Sequence, residues 1–299
     1  MRLLVAGASG FIGSRLCPAL LKEGHTALAM TRSPERYRGV GEAVFGDVDD
    51  PDSLRAALTG CDAAYYLVHS LGKDDFEEAD ARAARNFGRA ASDAGVKRIV
   101  YLGGLGDDQE ELSAHLRSRR QVENLLTDAG VPVTVLRASI IVGHGGISWE
   151  MTRQLVERLP AMTTPRWVQT RTQPIAVDDV VRYLTGVLSV PETTGGKFDI
   201  GGPEILTYAD MMRWVARIQG RRRLIIPVPL LSPSLSARWL WLVTDVDAAT
   251  GRSLIDSMSN EVVVRDDSIR TLIPFEPMPY YQAVLAALGE RALASPGAA

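Results

Sequence analysis

The sequence predicts a doubly wound α/β fold, a parallel sheet with helices on both faces, followed by a smaller C-terminal lobe. Three observations carry this. The chain opens on an apolar run, Leu3–Ala6, that breaks into three glycines, Gly7, Gly10 and Gly13, before a helical pattern begins. Strand-like and helix-like segments then alternate through the first half. A glycine closes each early helical pattern, at Gly24, Gly60, Gly95 and Gly130, where a left-handed cap is needed.

Leu3–Ala6 suits a buried parallel strand, and Phe11, Ile12, Leu16 and Leu20 recur at helical intervals over Phe11–Lys22. Between them Gly7, Ser9, Gly10, Phe11, Ile12 and Gly13 form a tight turn and a helix start. Backbone N–H groups and the helix dipole there face an anion, and the missing Cβ atoms let a pyrophosphate approach closely. The expected fold is the Rossmann type and the expected ligand a dinucleotide. The second strand, Ala27–Met30, tells which one. A site for NAD usually places an acidic residue after this strand to hold the ribose hydroxyls. This chain has Thr31-Arg32-Ser33. Arg32 suits a 2′-phosphate through its planar fork and Ser33 adds a donor, so NADP(H) is favoured while NAD(H) stays possible.

The alternation continues through strands at Ala43–Phe45, Ala63–Val68, Arg98–Leu102 and Val133–Leu136. Helices are expected at Pro51–Leu58, Asp75–Ala94 and Ser113–Ala129. Beyond Leu136 the rhythm loosens, with helices at Ser148–Arg158, Asp179–Leu188 and Tyr208–Gln219 and strands at Gln173–Val177 and Lys197–Ile200. The expected organisation is a nucleotide domain over 1–145, a lobe over 146–293 interleaved with the same sheet, and a disordered tail at 294–299. All 5 tryptophans fall in the second half, which suggests an apolar substrate pocket, with core packing the role of most of them.

The 299 residues, 46% hydrophobic and 23% charged, describe an ordinary globular chain. A net charge of -3 supplies no field for nucleic acid. The 2 cysteines, Cys17 and Cys61, give neither a disulfide framework nor zinc spacing. With a strand at the very N-terminus, no leader peptide is expected, and a cytoplasmic location fits. The apolar stretch Leu224–Val243 is broken by Pro227, Pro229, Pro233 and Arg238, so packing against the nucleotide domain is expected of it rather than membrane contact.

Taken together these segments resemble the atypical short-chain dehydrogenase/reductases, near the NmrA-like and extended, epimerase-type branches, from Arg2 to about Gly289. The resemblance implies that Asp47 accepts from the adenine amino group while Val48 packs on the ring. It implies that Val68 and His69, after the fourth strand, line the ribose and nicotinamide. Pro174–Val180 is similar to a recurrent family stretch, with Asp178 and Asp179 expected to cap a helix. The family's catalytic serine and Tyr-x-x-x-Lys are missing. The serine region reads Tyr101-Leu102-Gly103-Gly104, leaving Gly103 beside the cofactor, and the helix carries His115 and Arg119 in place of the tyrosine and lysine. These two share one helical face, one turn apart. His115 can exchange a proton, and Arg119 can hold ribose or phosphate and favours a neutral imidazole. His144 lies in a glycine-rich loop expected to border the substrate, and His25 is expected in solvent.

The leading expectation is an NADP(H)-dependent oxidoreductase acting on a small, apolar carbonyl, enone or quinone-like compound. Two alternatives stand beside it: a nucleotide-binding regulator or assembly module without turnover, and a redox-neutral epimerase or dehydratase. The oligomeric state is left open.

Overall fold

In a computed structural model, which describes residues 1–70, 75–227 and 244–294, the first half alternates as expected. Its elements are β1 (Arg2–Ala6), α1 (Gly13–Lys22), β2 (Thr26–Thr31), β3 (Glu42–Phe45), α2 (Pro51–Leu58), β4 (Ala63–Tyr66), α3 (Phe76–Asp93), β5 (Arg98–Gly104), α4 (Ala114–Thr127) and β6 (Val133–Ala138). The later part holds β7 (Ile141–Val142), α5 (Ile147–Arg158), β8 (Ala161–Thr164), β9 (Arg171–Thr172), β10 (Ile175–Ala176), α6 (Val177–Gly186), β11 (Lys197–Ile200), β12 (Leu206–Thr207), α7 (Tyr208–Ile218) and β13 (Leu224–Pro227). It closes with α8 (Ala248–Ser257), α9 (Ser268–Leu272) and α10 (Tyr280–Ala294). Gly24, Gly60, Gly95 and Gly130 all have positive φ at the helix ends, as their positions required.

The main sheet has seven parallel strands in the order β11-β6-β5-β4-β1-β2-β3. Strand order reverses between β1 and β4, and such a switch point opens a crevice at the carboxyl ends of the strands. Each face has its own core. Leu16 and Leu20 of α1 join Val180 and Leu184 of α6 against Val5, Tyr65 and Val100. On the opposite face Leu54 and Leu58 of α2, Phe87 of α3, and Val122 and Leu126 of α4 cover Leu4, Tyr66 and Tyr101. Their alternation along β1 and β4 is the two-residue period of a sheet buried on both sides.

The second part of the chain departs from expectation in detail. Only β11 extends the main sheet; the other late strands form two-stranded pairs, β7 with β10, β9 with β12 and β8 with β13. A third core lies here, built from Trp149, Leu155 and Val156 of α5, Met211, Met212 and Val215 of α7, and Ile255 and Met258 of α8. Trp167 and Trp214 pack against it, so these tryptophans serve the core. Asp179 does not cap α6. Ala176 occupies that cap position, and the Asp179 carboxylate, 3% exposed, instead accepts a hydrogen bond from the Met278 N–H at 2.7 Å. A side chain inside the first turn faces the core more readily than the helix end, and here it anchors the segment leading into α10. His25 is half-buried, against the N-terminus of the chain. Most of the Leu224–Val243 stretch, with Trp239 and Trp241, lies outside the described residues, as does 295–299; α10 runs as helix to Ala294. Among the described residues no helix is long and apolar enough to cross a membrane.

Candidate functional site

The crevice begins at the glycine turn. Gly7 sits at φ +89°, and a Cβ there would lie 3.0 Å from the Leu67 carbonyl oxygen. Gly13 is tighter: its Cβ would stand 2.3 Å from the Gly7 carbonyl oxygen and 2.6 Å from the Ala8 Cα. Only glycine lets the turn fold under the helix. No side chain caps α1; the Ser14 and Arg15 N–H groups bond the Gly10 and Ile12 carbonyl oxygens, each at 3.0 Å, and the positive end of the helix faces the turn.

From this turn a cleft of ≈ 380 Å³ runs along the strand ends. Gly7, Ser9, Arg32, Ser33, Asp47, Val48, Val68 and His69 of the sequence-derived set all line it. Arg32 is exposed and makes no ion pair or hydrogen bond among the described residues. Asp47 is held by its own turn, accepting from the Asp49 N–H at 3.0 Å while its N–H donates to Ser53 Oγ at 3.0 Å. These features fit a dinucleotide: an uncapped helix end at a turn without Cβ atoms, a carboxylate at one side, and a free guanidinium beyond the second strand. Beside it, a second hollow of ≈ 310 Å³ shares Ser9, Thr31 and Ser33 and adds Ser14, Arg36 and Arg38.

Three residues of the expected set do other work. The Phe11 ring lies where Cβ atoms on Gly143 and Gly146 would be, 3.1 and 2.9 Å away, and Arg15 stacks on it at 4.7 Å. It therefore joins the glycine turn to the second lobe. Gly103 is buried within β5, and Gly104 is the glycine that reaches a cavity. Arg119 is 8% exposed and pairs with Asp80 of α3 at 2.5 Å, which ties up its charge below the cleft floor. Asp80 also accepts from the Ser70 N–H at 2.9 Å and Ser118 Oγ at 3.2 Å. Removing Arg119 strands a buried carboxylate, at about 3–5 kcal/mol, besides any effect on a ligand. His144 bonds Glu150 at 3.1 Å, and Arg15 holds its carbonyl oxygen at 2.9 Å.

His115 stands where the cleft meets a second, smaller cavity. Its ring lies 5.5 Å from that of His69, which lines the larger cleft, while His115 itself lines a cavity of ≈ 80 Å³. That cavity is largely apolar, with Leu105, Leu116, Ile140, Leu254 and Met258, relieved by Ser139, Ser148, Ser257 and Tyr208. Burial, reinforced by the Arg119 charge, pushes the His115 imidazole down to about 3. The imidazole is therefore neutral, the state that a cation one turn away favours, and its Nδ1 is buried without a partner among the described residues. Packing, Arg119 and His115 also hold His69 well below its ordinary value, although a third of its side chain faces the cleft.

Asp80, Tyr208 and Ser148 escape a reading of the sequence. Asp80 left one signal, an acid on the apolar face of α3 between Ala79 and Ala81. Tyr208 and Ser148 belong to distant segments and left none. No group of side chains among the described residues could hold a metal ion.

The pattern of a family described as NAD(P)H-binding matches residues 7–167. The chain spans about a quarter of the length of the first curated relatives it matches, among them a Mycobacterium tuberculosis protein without an assigned activity, 28% identical over 232 residues covering 77% of this chain. A 2-alkyl-3-oxoalkanoate reductase of Stenotrophomonas maltophilia is 30% identical over 187 residues, 53% of this chain and 54% of its own. The (4-alkanoyl-5-oxo-2,5-dihydrofuran-3-yl)methyl phosphate reductase of Streptomyces griseus is 28% identical over 231 residues, 73% of this chain and 74% of its own. Among solved structures, triphenylmethane reductase of Citrobacter sp., complexed with NADP(H), superposes with a TM-score of 0.76 at 18% identity, covering 96% of this chain and 100% of that one.

Proposed function

The chain belongs to the NAD(P)H-binding family and has the short-chain dehydrogenase/reductase fold in an atypical form; from that premise we propose an NADP(H)-dependent reductase of a small, largely apolar carbonyl, enone or quinone-like compound. One observation carries the reading: the nucleotide cleft and the apolar cavity abut at His69 and His115. When bound, the dihydronicotinamide supplies a hydride. The chain does the rest. Gly7 and the start of α1 receive the pyrophosphate, Arg32 and Ser33 the 2′-phosphate, and Asp47 and Val48 the adenine. The apolar wall excludes water and holds the substrate within reach of the cleft. His115, neutral at physiological pH, donates a hydrogen bond to the reducible oxygen instead of delivering a proton from imidazolium.

The test is the mass of any co-purified nucleotide, followed by NADPH consumption against apolar ketones, enones and quinones. His115→Phe is expected to lower turnover by about two powers of ten with nucleotide affinity little changed. The regulator reading draws on one specific observation, the engagement of Arg119 by Asp80, which leaves no free cation at the family's lysine position. It gains if nucleotide binds and no compound in the screen is reduced.

A further inference from the structure

We propose that Tyr208, at the start of α7, is a catalytic residue of this site: its phenol holds the substrate oxygen opposite His115 and supplies the proton that completes reduction. The inference rests on the reductase reading above and adds a donor from the lobe that the nucleotide domain does not contain.

Tyr208 and His115 line the same cavity, although they are far apart in the chain. Tyr208 is 6% exposed, yet its hydroxyl makes no hydrogen bond among the described residues. The buried Tyr280 hydroxyl, by contrast, reaches the Met211 carbonyl oxygen at 3.5 Å, and that of Tyr65 donates to the Leu184 carbonyl oxygen at 2.8 Å. The Tyr66 and Tyr183 hydroxyls are also buried without a partner among the described residues, but neither of these residues lines this cavity. His115 lines the same cavity, and its Nδ1 is buried without a partner among the described residues. A phenol and an imidazole with no side-chain partner among the described residues, on the walls of ≈ 80 Å³ of largely apolar space, mark the place of one polar atom on an apolar ligand. The Tyr208 ring is fixed edge-on by Trp167, centroids 5.9 Å apart at 86°, and a capping box closed by Thr207 and Asp210 fixes the start of its helix. Burial alone pushes the phenol above its ordinary value, so it stays protonated at physiological pH.

The reaction balances on groups already named. A C–H bond forms at the substrate carbon as a dihydronicotinamide C–H bond breaks and the hydride pair moves across. The carbon–oxygen π pair goes to oxygen, the Tyr208 O–H bond breaks as a substrate O–H bond forms, and the phenolate recovers its proton from water.

Cyclohex-2-enone and its oxygen-free analogue cyclohexene, titrated by ligand-observed NMR into protein holding NADP⁺, test this without turnover. Wild type is expected to prefer the enone. Tyr208→Phe should weaken enone binding about tenfold and leave cyclohexene and NADP⁺ unchanged. Since the hydroxyl has no partner among the described residues, the variant should melt no lower than wild type. Equal enone affinity in the two proteins, a wild type that does not distinguish the probes, or parallel loss of both probes would overturn the assignment while leaving the reductase reading intact. Failure of wild type to bind NADP⁺ would defeat both.

Discussion

Arg32 and His115 show how much a single position can decide. Arg32 lines the cleft without an ion pair among the described residues, and Thr31-Arg32-Ser33 at the end of β2 holds no carboxylate. NADPH is therefore expected to bind more tightly than NADH, and Arg32→Glu should narrow or reverse the difference; equal calorimetric affinities in the wild type would remove the basis for the NADP preference. His115 adds a pH dependence. The folded protein resists protonating it down to about pH 3, whereas an unfolded chain takes that proton near 6.5. Its contribution to stability is complete above pH 6.5 and is lost progressively as the pH falls from 6.5 towards 3. His69, lowered in the same direction, adds to the trend. The unfolding free energy should fall between pH 7 and 5 in wild type and fall less in His115→Phe, by a difference of about 1 kcal/mol after allowance for water reaching the ring. Parallel curves would show that His115 protonates as freely in the fold as outside it.

The glycine turn and α1 act as one element, and its glycines are unequal. A Cβ on Gly10 meets only the Gly7 carbonyl oxygen, at 3.2 Å, whereas one on Gly13 collides with backbone that cannot move independently of β1. Gly10→Ala is expected to fold like wild type and lose nucleotide affinity by the crowding of the pyrophosphate. Gly13→Ala should lose affinity and also melt several degrees lower, since the helix start must shift. Circular dichroism melting with NADPH titration separates the two, and identical melting of both variants would contradict the packing around Gly13.

Across the molecule the site is assembled by contacts between the nucleotide half and the later lobe. Asn260, 8% exposed, accepts from the Ser113 N–H at 3.0 Å and donates to the Glu111 carbonyl oxygen at 2.9 Å, while Ser113 Oγ and Ser257 Oγ lie 3.1 Å apart. These bonds moor the N-terminus of α4, which carries His115, to the end of α8. Asn260→Ala leaves one donor and one acceptor unmet and should destabilise the protein by about 1–3 kcal/mol. Once a substrate is known, KM should rise more than kcat falls, because the cavity loosens while the reacting groups remain. Unchanged denaturant stability would count against this mooring.

The sequence by itself determined whatever is local or periodic. Two-residue alternation, apolar runs and terminal glycines specified the strands and helices of the first half, because buried parallel strands and capped helices admit few patterns. That Gly7, Arg32, Asp47 and His69 line one cleft was legible for the same reason: each follows the end of a parallel strand, where such a crevice opens. Only the tertiary structure decided which charges were already engaged. Arg119 reads as a free cation until α3 brings Asp80 within 2.5 Å of it, and Phe11 as a ligand contact until Gly143 and Gly146 fold over its ring. Burial is the larger cause of the neutral His115, beyond what its spacing to Arg119 reveals, and Tyr208 lines the cavity beside His115 only because the start of α7, the end of α8 and the end of β6 meet around it. Such contacts between distant segments depend on packing and desolvation, and these are properties of the folded core.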